Sequence, residues 1–107
     1  MEADFTAILK YRTTDEGGRG TAAYSGYRPA IKFPFAEMMT SGQQKFMDKE
    51  LVYPGETVLA EITIIPTDYF KGQLYEGLEF EFKEGPRLIG NGTITKILNA
   101  SLSREQE

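Results

Sequence analysis

The chain has 107 residues, 40% of them hydrophobic and 26% charged, with no cysteine and no histidine. Twelve basic against sixteen acidic residues leave a net charge of −4, which argues against a broad grip on nucleic acid, because such a grip neutralises many phosphates with Lys and Arg. Disulfides, thiolate metal sites, cysteine nucleophiles and histidine bases are excluded, and the length suits one domain able to bury its own core.

The acidic start, Met1-Glu2-Ala3-Asp4, has no apolar stretch of signal-peptide type, and no apolar run is long enough for a bilayer. A soluble, cytoplasmic protein is the expectation. Phe5, Ala7, Leu9 and Tyr11 could face one side while Thr6 and Lys10 face the other, which predicts a half-buried first strand. Asp15-Glu16-Gly17-Gly18 follows as a turn. Its glycines lack the spacing and the Lys-Ser/Thr ending that wrap a nucleotide phosphate. Arg28-Pro29 should open a second strand, because the residue before proline is held extended.

Ala36 to Lys49, "AEMMTSGQQKFMDK", contains good helix formers but is interrupted by Gly42. It reads as a long loop or ragged hairpin. Pro54-Gly55 predicts a tight turn, and Val58, Ala60, Ile62 and Ile64 predict the inward face of another strand. Thr67 to Tyr75, "TDYFKGQLY", packs Tyr69, Phe70 and Tyr75 into a loop, a candidate patch for a protein partner. Leu78, Phe80 and Phe82 then interleave with Glu79, Glu81 and Lys83. The two carboxylates fall on the solvated face of a strand rather than in an acid–base pair. A last strand runs from Ile94 to Leu98, with Gly90 and Gly92 before it marking a bulge or a sharp bend. Residues 1–98 form the expected domain, and the polar tail 99–107 is expected to fray. Short strands separated by turns indicate an antiparallel sandwich or barrel.

Four motifs in one order carry a resemblance. "DEGGRGT", "GYRPAIKF", "PGETVLAEITIIP" and "GLEFEFKEGPRLIGNGTITKIL" together resemble the C-terminal β-barrel, domain 3, of the elongation factor Tu family. They cover most of the chain from Phe5 to Leu98. The resemblance implies an all-β fold, a closed six-stranded antiparallel barrel. It also implies a non-catalytic module connected with translation, with no cofactor, no metal and no bound nucleotide, since the GTPase domain of that family has no counterpart among these residues.

In the family this domain meets protein partners and the stem of aminoacyl-tRNA. By resemblance Arg19, Glu84, Gly85 and Arg87 are the candidate tRNA contacts, with Lys83 beside them. Some loops depart from the pattern: Gly20 stands where the family has histidine, Pro86 where it has a second glycine, and Pro34-Phe35-Ala36-Glu37 where it has Arg-Thr-Thr-Asp. The departures lie in RNA-facing loops, so a protein partner is the leading expectation and tRNA the alternative.

Overall fold

The computed structural model describes residues 2–104. Eight strands form: β1 (Phe5–Tyr11), β2 (Ala23–Tyr24), β3 (Ala30–Lys32), β4 (Thr40–Phe46), β5 (Leu51–Val52), β6 (Thr57–Ile65), β7 (Glu79–Glu84) and β8 (Arg87–Ile97). Six of them close into an antiparallel barrel in the order β1-β6-β4-β3-β7-β8, and β2 pairs with β5 in a small separate sheet. The six-stranded barrel expected from the sequence is therefore the observed fold. Among the described residues, no helix is long and apolar enough to cross a membrane.

Alternation builds the barrel as anticipated. Phe5, Ala7, Leu9 and Tyr11 of β1 point inward, as do Val58, Ala60, Ile62 and Ile64 of β6. From β7 come Phe80 and Phe82, both almost fully buried. Phe5 meets Phe80 edge to face at 5.8 Å and Phe33 at 6.5 Å, while Tyr11 meets Phe82 at 5.0 Å. These offset and T-shaped contacts suit the ring quadrupoles. The cylinder is a packed core rather than a channel.

The segment expected to be a loop or ragged hairpin contains a true strand. On β4 the inward positions are Thr40, Gly42, Gln44 and Phe46, a face that hydrophobic alternation does not reveal. Gly42 is required there because a Cβ would fall 2.1 Å from Ile31 Cδ1. β8 also begins earlier than expected, at Arg87, because Gly90 and Gly92 lie inside the strand rather than before it. They face inward, opposite Phe82 and Phe80 respectively, and the missing side chains make room for those two rings.

The tail from residue 99, expected to fray, is docked as far as Arg104. A short 3-10 turn, Ala100–Leu102, buries Leu102 completely, and Leu74 donates its N–H to the Leu102 carbonyl at 2.9 Å. Asp4 ties this segment to the barrel. Its carboxylate accepts from the Ile64 N–H at 2.8 Å and the Asn99 amide at 2.9 Å, and its carbonyl accepts from the Leu98 and Asn99 N–H groups. Residues 105–107 lie outside the described range.

Candidate functional site

The two ends of the barrel differ in chemistry. One end carries the Asp15-Glu16-Gly17-Gly18 turn and the β7–β8 turn. The turn is self-contained: Thr13 donates its N–H to the Glu16 carboxylate at 2.8 Å, and Glu16 returns its N–H to the Thr13 hydroxyl at 3.1 Å. Hydrogen bonding to Thr13 holds the Glu16 carboxyl below its ordinary range. Gly18 has to be glycine because a Cβ there would lie 2.5 Å from the Arg12 carbonyl oxygen.

Arg19 emerges from this turn and is fully engaged. Its guanidinium pairs with Glu84, reaches the carbonyls of Thr21 and Ala22, and stacks over the Tyr27 ring at 4.7 Å. Tyr27 donates its hydroxyl to the same Glu84 carboxylate. Three of the four sequence motifs thus converge on one clasp, Arg19–Glu84–Tyr27. Burial works against ionising Glu84, but the Tyr27 hydroxyl and the Arg19 guanidinium outweigh it and hold its carboxyl below the ordinary value. Burial, followed by the Glu84 carboxylate, raises the Tyr27 phenol.

Of the candidate tRNA contacts, then, Arg19 and Glu84 are brought together, but each is used by the other. Gly85 sits at the turn with φ of 58°, a backbone role. Arg87 is exposed at the start of β8. Lys83 lies 3.9 Å from Glu81. Of these cations, Arg87 alone has no ion pair among the described residues.

A structural role for the clasp predicts its acid response. A carboxylate whose pKa is lower folded than unfolded adds stability that is complete above the unfolded value and is lost as pH falls through the folded one. Glu84→Gln should cost about 1 kcal/mol at neutral pH, a value kept low by solvent screening of a partly exposed pair. Its stability should also fall less steeply than the wild type's between about pH 5 and about pH 3. Urea unfolding across that range measures both, and parallel curves would show that the clasp does not hold the fold.

The opposite end is apolar. Phe35, Met38 and Met39 lie in the β3–β4 connection, Ile65 ends β6, Tyr69 lies in the following 3-10 turn (Asp68–Phe70), and Leu98 follows β8. All six are exposed, from 43% for Leu98 to 59% for Tyr69, and they are six of the eleven large exposed hydrophobic residues among those described. The backbone brings the segments together. Ile65 pairs with Ser41, the Thr40 hydroxyl donates to the Ile65 carbonyl at 2.8 Å, and the Phe35 and Phe70 rings lie 6.5 Å apart. Leu98 joins through Asp4, which bonds to both Ile64 and Leu98.

The aromatic patch expected at Tyr69, Phe70 and Tyr75 is redrawn by this arrangement. Tyr69 is exposed, but Phe70 is 98% buried, packed 5.1 Å from Phe33. Tyr75 is half-buried beneath the Arg104 guanidinium, 4.1 Å from its ring centre. Of the residues that complete the exposed surface, Met38 and Met39 lie in the stretch read as a loop or ragged hairpin, and Phe35 lies just before it. Their signal was three large apolar side chains within five positions of a segment with no strand-like alternation.

A shallow groove of about 360 Å³ lies on the outer wall between Lys32, Pro34, Glu79, Glu81, Lys83 and Asn91. Within it Lys83 lies 3.9 Å from Glu81, and Lys32 donates to the Phe33 carbonyl at 2.9 Å. Among the described residues, no group of three or more His, Cys, Asp or Glu could hold a metal ion. No family model matches the chain.

Proposed function

We propose that this chain is a non-catalytic protein-binding module of the elongation factor Tu domain 3 type, connected with translation, which holds its partner at the apolar end of the barrel. The clustering of Phe35, Met38, Met39, Ile65, Tyr69 and Leu98 is the observation that carries this reading. Contiguous apolar surface on a small domain is costly to leave in water and marks an interaction site more often than scattered residues do. Methionine suits such a surface because its unbranched, polarizable side chain adapts to a partner.

Two further features support it. The barrel interior is filled by Phe5, Phe33, Phe80, Phe82 and their neighbours, so a partner has to be met on the outer surface. Arg19, the basic residue of the first recognised loop, is spent on Glu84 and on backbone carbonyls, so it is not free to meet a phosphate.

The test is to titrate the purified chain with the nucleotide-exchange factor that serves elongation factor Tu and, separately, with aminoacyl-tRNA at low and physiological salt. The expected result is a complex with the protein that weakens about tenfold or more in Met38→Asp, which places a charge in the apolar contact, and no tRNA shift at physiological salt. A tRNA complex that survives physiological salt, with no protein complex, would overturn the reading.

A further inference from the structure

The apolar end carries a charge pattern that narrows what can sit on it. Glu37 is exposed between Phe35 and Met38, Asp68 is exposed beside Tyr69, and Glu76 is exposed at the far side of the same connection. Two of the neighbouring cations have partners, while Lys96, two residues before Leu98, is exposed. Lys71 lies 3.6 Å from Asp68, and the Arg104 guanidinium carbon lies 4.1 Å from the ring centre of Tyr75. Glu37 and Glu76 have no cation paired with them among the described residues. The surface is therefore greasy at its centre, and Glu37 and Glu76 are the carboxylates at its rim that no cation neutralises.

We infer that the occupant of this end is a short amphipathic polypeptide segment whose apolar side chains are flanked by Lys or Arg. The inference rests on the reading above and names the chemistry of the partner. Apolar burial against Phe35, Met38, Met39 and Ile65 supplies the affinity. Glu37 and Glu76 supply the selection: an acidic segment would bring like charges to the rim, whereas a basic one meets opposite charges. Rim charges act mainly on specificity and on the rate of encounter, so their share of the binding should weaken as salt rises.

Three synthetic peptides separate the contributions: an amphipathic leucine–lysine helix, a leucine–glutamate helix of the same pattern, and polylysine. Binding is followed by amide chemical shifts of the whole chain. The leucine–lysine peptide should bind, with its shifts concentrated at residues 35–39 and 65–69. The leucine–glutamate peptide should bind about tenfold more weakly, and polylysine should not bind at physiological salt. Met38→Ser combined with Met39→Ser should lower leucine–lysine affinity about tenfold. Glu37→Gln combined with Glu76→Gln should leave that binding largely in place but flatten its salt dependence.

These positions are all exposed, so the variants leave the core untouched and retained shift dispersion checks the fold. Equal binding of both amphipathic peptides, binding of polylysine, or shifts confined to another face would overturn the inference. If the exchange factor binds the wild type and not Met38→Asp while the leucine–lysine peptide fails, the functional reading survives and this inference alone falls.

Discussion

Gly90→Ala is expected to destabilise the barrel by about 3 kcal/mol, at the upper end of what overpacking costs. A Cβ at this position would stand 2.4 Å from the Lys10 carbonyl oxygen and 2.5 Å from Cζ of Phe82. Neither neighbour can yield cheaply. Lys10 belongs to β1, whose ladders to β6 and β8 flank it on both sides, so moving its carbonyl disturbs both. Phe82 is fully buried with its ring 5.0 Å from that of Tyr11, and a packed interior has no void to receive it. Gly20→Ala, where nothing lies within 4 Å of the new methyl group, should change stability by less than about 0.5 kcal/mol. Urea midpoints of the two variants make the comparison directly. Equal midpoints would show that the close approach at Gly90 does not constrain the strand.

That glycine also shows how the sequence could be read and where reading it stopped. Hydrophobic alternation exposed β1, β6 and β7, because their inward positions are all apolar and their outward ones mostly polar. Turn spacing left a sandwich or a barrel open, and the resemblance carried by the four ordered motifs implied the closed barrel. Gly90 and Gly92 were recognisable as marks of a bulge or sharp bend, but not as interior positions of a long strand, because a residue without a side chain carries no inward or outward signal. β4 was hidden for a related reason. Its inward face is Thr40, Gly42, Gln44 and Phe46, and each of the first three depends on a neighbour remote in sequence. Thr40 bonds to the Ile65 carbonyl, Gly42 leaves space for Ile31, and Gln44 accepts from the Tyr11 hydroxyl.

The two ends divided in the same way. The Arg19–Glu84–Tyr27 clasp joins residues 57 and 65 positions apart. The motifs named its members, but only the closed barrel shows that they satisfy one another. At the other end, local spacing could not tell Phe70 from Tyr69. A 3-10 turn places successive side chains about a third of a turn apart, so one enters the core and the other faces water. Which residue does which is decided by Phe33, far away in the chain.

The second large effect is expected at Phe80, and it can be made to report on packing rather than on volume alone. Phe80→Ala should cost about 3–5 kcal/mol, the usual range for deleting a buried aromatic ring. The ring lies 5.8 Å from Phe5 and 5.7 Å from Phe33, and only 2% of the residue is exposed. Gly92 is its partner across β7 and β8, and a Cβ on Gly92 would lie 2.2 Å from Phe80 Cζ and 2.7 Å from two more ring carbons. Gly92→Ala should therefore be costly while the ring is present, by about 2–3 kcal/mol. In a Phe80→Ala background the same methyl group enters the space the ring has left, so it relieves part of the cavity instead of creating a clash. The two substitutions together should be less damaging than the sum of each alone, by about 2 kcal/mol or more, which is the non-additivity expected of residues in direct contact. A double-mutant cycle from denaturant unfolding measures the difference. Strict additivity would mean that the β8 glycines are not there to admit the β7 rings, and the account of why this strand is built without side chains at two inward positions would fail with it.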